Sequence, residues 1–330
     1  MRFISNQNMT DPSLNLALEE YVLRSLPDDD DYLLFYINEP SIIIGKNQNT
    51  VEEINADYVE QNGIHVVRRL SGGGAVYHDL GNLNFSFIMK DDGQSFHNFK
   101  KFTEPVVQAL RKLGVEAELT GRNDLQVGER KISGNAQFST RGKMFSHGTL
   151  LFDSEMDNVV SALKANAEKY VSKATKSIRS RVANISEFLA EPMTIEQFKQ
   201  SLLTSLFEGQ QNVPNYDLSE QDWVNVRKLA DERYRSWEWN YGRSPAFNVR
   251  QTKRIEGAGT FDVRLLVEDG IIASATIYGD FFGRGDIGEL ADKFVGARYE
   301  ANSLRALLDG NDLTYYCGPV TNEQWLELML

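Results

Sequence analysis

Hydrophobic positions recur along the chain with two periods, and the switches between them predict the elements. Thr10 or Asp11 stands as an N-cap, Pro12 follows in the first turn, and Leu14, Leu18, Tyr21, Val22 and Leu26 share one broad face. That spacing predicts an amphipathic helix packed on a sheet. Apolar runs at Tyr32 to Ile37 and Ser41 to Gly45 predict strands, followed by a helix ending near Gly63. Further strands are expected at Ile64 to Arg69, Ala75 to Asp79 and Asn82 to Met89, with Asp79-Leu80-Gly81 as a hairpin connection. A helix from about Ser95 to Leu113 stops at Gly114, and strand signals return at Asp124 to Val127, Lys131 to Gln137 and Met144 to Phe152.

Between Ser154 and Tyr234 the pattern turns mostly helical, most clearly at Met193 to Phe207 and Leu218 to Tyr234. The turn-rich stretch Asn240 to Pro245 marks a boundary. Beyond it lie strands near Phe247 to Lys253, Gly259 to Glu268 and Ile271 to Tyr278, then two or three helices reaching Leu330. Strands clustered with few helices predict an α+β fold, divided into a large sheet domain over 1–244 and a small α+β domain over 245–330. No repeat or low-complexity segment interrupts this scheme, and the acidic run Asp28 to Asp31 reads as a solvated turn.

Composition narrows the class. With 41% hydrophobic and 25% charged residues, the chain has the balance of a globular protein. No apolar stretch approaches the length of a membrane span, and the first residues lack the apolar core of a secretory signal. The lone cysteine, Cys317, rules out an internal disulfide framework and points to a reducing cytoplasm. A net charge of −12 argues against nucleic-acid partners, so any anion must meet a local basic pocket.

Such a pocket is signalled where Arg68 and Arg69 end a strand and Leu70-Ser71-Gly72-Gly73-Gly74-Ala75-Val76-Tyr77-His78-Asp79 follows. Three adjacent glycines let backbone N–H groups converge on an anion, and arginines add charge-assisted bonds there. The segment is not a Walker A loop, because no Gly-Lys-Ser/Thr follows, nor a dinucleotide fingerprint, because a strand comes next. Taken alone it reads equally as a glycine-rich hairpin with solvated arginines.

A second cluster, Gly121-Arg122-Asn123-Asp124 with Lys131-Ile132-Ser133-Gly134-Asn135, sets a lysine among small residues, although a surface hairpin turning at Gly128-Glu129 has the same spelling. A third, Ser146-His147-Gly148-Thr149, places a histidine and hydroxyls before an apolar run. His78 and His147 lack the partners a zinc site needs and read as polar groups of a pocket. There is no Gly-x-Ser-x-Gly elbow and no cysteine near the glycines, so acyl chemistry here cannot run through a protein thioester beside them.

In this order, Arg69 to Asp79, Gly121 to Asp124, Lys131 to Gly134 and His147 to Thr149 closely resemble the lipoate-protein ligase A family. The resemblance extends to Asn15 to Glu20, Ile44 to Asn49, Ser177 to Val182 and Trp237 to Asn240 with Pro245-Ala246-Phe247, and so covers nearly the whole chain. Biotin ligases share the fold but present a different glycine-arginine loop. The resemblance implies a large mixed-sheet catalytic domain and a C-terminal accessory domain.

It also implies a two-step reaction in which lipoate and ATP give lipoyl-AMP and pyrophosphate, and a lysine of an acceptor then takes the lipoyl group. The implied acceptors are lipoyl domains of 2-oxoacid dehydrogenase E2 subunits or the glycine-cleavage H protein, with octanoate as a possible second acid. By the resemblance Lys131 is catalytic, bridging the lipoate carboxylate and the α-phosphate. Arg69, Gly72, Gly73, Gly74, Ala75, Val76, Tyr77 and His78 would hold nucleotide and phosphates, with His147 a polar group of the same pocket. Asn123 and Asp124 would orient phosphates or a Mg2+ ion, and Leu70, Val76 and Tyr77 would wall a slot for the tail.

The resemblance implies that the basic segment Lys173 to Arg179 is a loop that closes over the adenylate, while its residues alone read equally as a solvated basic helix end. Leu70 and Tyr77 depart from the polar residue and the Phe frequent at those places, which bears on tail selectivity. The rival readings are an ATP-independent octanoyl or lipoyl amidotransferase working through a cysteine, and a non-catalytic binder of lipoate or nucleotide.

Overall fold

The computed structural model describes residues 1–27, 29–163, 181–207, 212–242, 248–268 and 270–330. The basic segment Lys173 to Arg179, residue Asp28 of the acidic run and Pro245-Ala246-Phe247 lie outside the described residues. Among the described residues no helix is long and apolar enough to cross a membrane.

The strands are β1 (Arg2–Ser5), β2 (Tyr32–Ile37), β3 (Ser41–Ile44), β4 (His65–Arg68), β5 (Val76–His78), β6 (Asn82–Lys90), β7 (Glu118–Thr120), β8 (Asp124–Val127), β9 (Arg130–Thr140) and β10 (Lys143–Leu151), followed by β11 (Val249–Ile255), β12 (Gly259–Glu268) and β13 (Ile271–Gly279). The first helices are α1 (Pro12–Ser25), α2 (Thr50–Glu53), α3 (Ala56–Gln61), α4 (Phe99–Lys112) and α5 (Met156–Ala162), with α6 (Ile195–Leu206), α7 (Glu220–Leu229) and α8 (Trp237–Asn240) after them. The fold is the α+β class that the pattern predicts, with the mixed sheet that the resemblance implies. A seven-stranded sheet runs β1-β2-β6-β10-β9-β8-β7, with β1 and β2 parallel and the other neighbours antiparallel.

Packing divides the described chain into two compact units. The first comprises Met1–Ile43, Val51–Arg68 and Val76–Asn240; the second comprises Ile44–Thr50, Arg69–Ala75 and Tyr241–Leu330. Two short motif segments therefore group with the C-terminal residues, although they lie far from them in sequence.

In the first unit one sheet face buries Leu33, Phe35, Phe85, Leu125, Ile132, Met144 and Leu150 with Phe102, Val106 and Leu110 of α4 and Phe198 and Leu202 of α6. Each such side chain contributes roughly 1.5–3 kcal/mol when fully buried. Asp11, not Thr10, caps α1, its carboxylate accepting from Ser13 and Leu14 N–H. α1 departs from the one-sided burial its spacing predicts, because Asn15, Glu19 and Glu20 are buried as well as Leu18 and Val22. Their polar ends are tolerated there because partners meet them: Asn15 bonds Asn38, Glu20 accepts from Arg24 and Tyr234, and Glu19 meets His147.

The pattern misses β1 and β7, the two edges of the sheet, which are four and three residues long and show little alternation. β1 is in turn covered by Pro214 to Tyr216 through backbone hydrogen bonds at Phe3.

The second unit holds the antiparallel sheet β11-β12-β13 and the helices α9 (Ile287–Phe294), α10 (Ala301–Asp309), α11 (Leu313–Cys317) and α12 (Asn322–Met329). Four helices stand where two or three are expected. The extra one is α11, a single short piece capped by the Asp312 carboxylate and ended by Gly318 at φ 77°. Its core stacks Phe261 on Phe281 at 4.5 Å and sets Trp325 edge-on to Phe261 at 5.2 Å.

Candidate active site

In the first unit, β8 and β9 form a hairpin in which Asp124 faces Gly134 and Leu125 faces Ser133. The register then slips so that Gln126 faces Lys131. This bulge re-aims the strand, as bulges do. It buries Ile132 fully and carries the Lys131 ammonium to 2.9 Å from Asp124 Oδ1.

Both side chains stay about one-third exposed, at 36% and 33%, so the pair is open to an arriving ligand. The lysine backbone is fixed by Arg181 to Ala183, with Lys131 N–H donating to Arg181 O and Ala183 N–H to Lys131 O. Gly134 leaves room for the lysine: a Cβ there would stand 3.1 Å from Nζ.

Asn123 and Asn135 hold each other. The Asn123 amide donates to Asn135 O at 2.6 Å, and the Asn135 amide and backbone N–H donate to Asn123 O. Asn135 also explains Gly148, where a Cβ would fall 2.2 Å from Asn135 Oδ1 and 2.6 Å from Phe85. Thr149 Oγ1 accepts from Gly134 N–H at 3.2 Å, which ties β10 to the lysine's neighbour.

Two residues along the same face of β10, His147 is buried with Nδ1 2.9 and 3.1 Å from the two Glu19 oxygens. Through this contact Glu19 fixes the ring's orientation. Glu19 lies in a segment that sequence reasoning assigned no role, since a carboxylate on a helix ordinarily reads as solvated.

His78 sits elsewhere in the first unit. Its Nδ1 accepts from the Asn38 amide, which belongs to a buried chain of side chains running Asn6, Asn15, Asn38, His78. Next to it Tyr77 is buried, and burial, helped by the Asp79 carboxylate, pushes its phenol up to about 12. Val76 and Tyr77 pair with Ile43 and Ile42 of β3.

In the second unit the glycine segment is held by Arg69. Its buried guanidinium donates to Ser71 Oγ at 3.0 Å and to the carbonyls of Gly72 and Gly74 at 2.8 Å each. Because the peptides are trans, the N–H groups of Gly73 and Ala75 point away from those carbonyls and from Arg69. Arg69 thus gathers the loop's carbonyls on one side and leaves these two N–H groups on the other, donors of the kind that bind anions.

The glycines are required by close approach. A Cβ at Gly45 would fall 1.9 Å from Gly73 O and one at Gly72 would fall 2.2 Å from Phe281 O. Gly73 also takes φ 95°. Arg68, expected to share the anion site, turns instead into the first unit and donates from Nε to Trp239 O.

Among the described residues no group of three or more His, Cys, Asp or Glu is placed to hold a metal ion. Cys317 is fully buried, and burial pushes its thiol well above the ordinary range.

The family profile described as lipoyl protein ligase A/B catalytic domain matches residues 11–207, and that described as bacterial lipoate protein ligase C-terminus matches 244–329. The chain belongs to the lipoate-protein ligase family. It is 60% identical to the lipoate-protein ligase LplJ of Bacillus subtilis (strain 168) over 100% of both chains. Among solved structures it is similar to P. falciparum LipL1 in complex with lipoate, at TM-score 0.79 and 25% identity, covering 99% of this chain and 97% of that one. It is also similar to a lipoate-protein ligase A bound with ATP, at TM-score 0.62 and 32% identity, covering 73% of this chain and 98% of that one. Lipoate-protein ligases are enzymes, and so is this chain.

Proposed function

We propose that this chain joins lipoate to ATP as lipoyl-AMP, releases pyrophosphate, and passes the lipoyl group to a lysine of a lipoyl domain. The observation that carries the proposal is the Lys131 ammonium, delivered by a bulge to a partly open position beside one carboxylate and two small residues. In the first step a lipoate carboxylate oxygen forms a bond to the α-phosphorus while the bond to pyrophosphate breaks. Lys131 leaves Asp124 and stands between the two anions, offsetting a repulsion that would otherwise oppose their approach. In the second step the acceptor amine bonds to the lipoyl carbonyl carbon and AMP leaves.

The Gly73 and Ala75 N–H groups of the loop shaped by Arg69 are proposed to hold phosphate. The face of β10 carrying Thr149, His147 and Phe145 runs from beside Lys131 under α1, which suits an apolar tail. Magnesium commonly binds through one or two carboxylates plus substrate phosphates, so the single Asp124 carboxylate fits an ion arriving with the nucleotide. There the ion supplies neutralisation of phosphate charge.

The acceptors proposed are lipoyl domains of 2-oxoacid dehydrogenase E2 subunits or the glycine-cleavage H protein, and the working place the cytoplasm, where a lone cysteine stays reduced. An amidotransferase needs a reactive thiol, and Cys317, buried with a raised pKa, is a poor one.

The test is lipoate-dependent release of pyrophosphate from ATP by the purified chain. Release that requires both substrates is expected. Acyl transfer from a lipoylated or octanoylated donor without ATP would replace the ligase with an amidotransferase, and saturable binding without turnover would leave a binding protein.

A further inference from the structure

Arg68 is among the most deeply buried charged residues of the described chain, at 1% exposure. A buried guanidinium is costly unless its donors are met. Here they are met by the last carbonyls of α8, with Nε donating to Trp239 O at 2.9 Å and Nη2 to Asn240 O at 3.3 Å. Those carbonyls end a helix and lack partners within it, so the arginine serves as their cap.

The backbone of Arg68 is held just as closely. Its N–H donates to Asn240 Oδ1 at 2.9 Å, and its carbonyl accepts from the Trp239 indole N–H at 2.8 Å. The Asn240 amide then donates to Tyr234 O, and the Arg233 guanidinium lies 5.1 Å over the Trp239 ring. Tyr234 OH in turn donates to the buried Glu20 carboxylate. Every backbone and side-chain group of Arg68 named here is therefore fixed by a turn 171 or 172 residues away in the chain.

The place of this knot in the sequence gives it a function. The residue after Arg68 is Arg69, which gathers the glycine loop, and the peptide joining them carries the carbonyl that Trp239 grips. We propose that Arg68, Trp239 and Asn240 are positioning residues for the nucleotide step, fixing the stem from which the phosphate-holding loop departs. This rests on reading the 69–75 loop as the nucleotide's seat. Arg69 and the close backbone contact at Gly72 shape the loop itself, and the chain enters it through the peptide whose carbonyl Trp239 holds. Loosening that stem by even an ångström moves the N–H donors away from the phosphates, and misplacement on that scale can cost on the order of a hundredfold in rate.

The experiment measures pyrophosphate release for wild type, Arg68→Lys and Trp239→Phe, with ATP and lipoate varied separately. Trp239→Phe removes one hydrogen bond and keeps a ring beneath Arg233. Both variants are expected to raise KM for ATP by about tenfold, to lower kcat/KM for ATP by roughly ten- to a hundredfold, and to leave KM for lipoate within about twofold of wild type. A merely structural role would lower the active fraction, and so kcat alone, with KM for ATP unmoved. That outcome would overturn the proposal, as would failure of both variants to fold; if only Arg68→Lys fails to fold, Trp239→Phe decides. Absence of lipoate-dependent turnover in wild type would instead overturn the functional reading, and this inference with it.

Discussion

Replacing Lys131 with Met separates a group that works from a group that merely holds the fold. Among the described residues the side chain makes one ion pair, 2.9 Å to Asp124, and both partners are about one-third exposed. At that distance Coulomb's law with an effective dielectric of 20 gives about 6 kcal/mol of direct attraction. Solvation of the separated charges and lost side-chain freedom cancel most of it, and exposed pairs contribute about 0–1 kcal/mol net. The aliphatic stem lies against Gly134, and Met preserves much of that packing. Lys131→Met should therefore shift the melting temperature of the chain by no more than about 4 °C.

The expected effect on chemistry is far larger. Removing a donor aimed at developing charge costs about 3–4 kcal/mol, or on the order of 10²–10³ in rate. Lys131→Arg keeps the charge on a wider planar head and should recover only part of this. The assay is coupled pyrophosphate release at saturating ATP and lipoate, beside a thermal melt of the same preparation. A folded Lys131→Met protein working within about threefold of wild type would refute the reasoning, because Lys131 would then be only a surface lysine.

Gly148→Ala should destabilise the first unit by at least about 1–3 kcal/mol, since its Cβ would overlap Asn135 and Phe85 in a packed sheet; thermal unfolding that matches wild type would contradict this. Cys317 should resist a thiol reagent in the native protein and react fully in denaturant, given its complete burial and raised pKa; rapid native labelling would reopen the thioester reading. Tyr32 and Tyr77, both pushed up to about 12 chiefly by burial, stay protonated in the folded chain while the unfolded chain ionises above its ordinary value near 10. The unfolded state then binds fewer protons, so stability should fall as pH rises from 10 toward 12, and a urea midpoint constant over that window would contradict the burial of these phenols.

The sheet strands of the first unit were legible because their apolar runs are long and bounded by turn residues, as at Tyr32 to Ile37 and Asn82 to Met89. β1 and β7 were not, because an edge strand is specified by the neighbour it pairs with more than by its own pattern. The lysine cluster was legible as small residues around a cation, but the bulge that turns Lys131 toward Asp124 is a matter of register and leaves little trace in composition. Arg68 and Arg69 show the limit of local reading. Two identical neighbours find different partners, one at a helix terminus 171 residues distant and one in its own loop. Glu19 and Glu20 show the same limit, since only the fold reveals that His147 and Tyr234 wait for them.

The most direct test of the account is the intact mass of a 2-oxoacid dehydrogenase lipoyl domain after incubation with this chain, lipoate, ATP and magnesium. The account predicts that the domain gains one lipoyl group at its acceptor lysine, that the gain requires ATP, and that it is lost with Lys131→Met. A gain that proceeds without ATP from an acylated donor, or an undiminished gain with Lys131→Met, would contradict it.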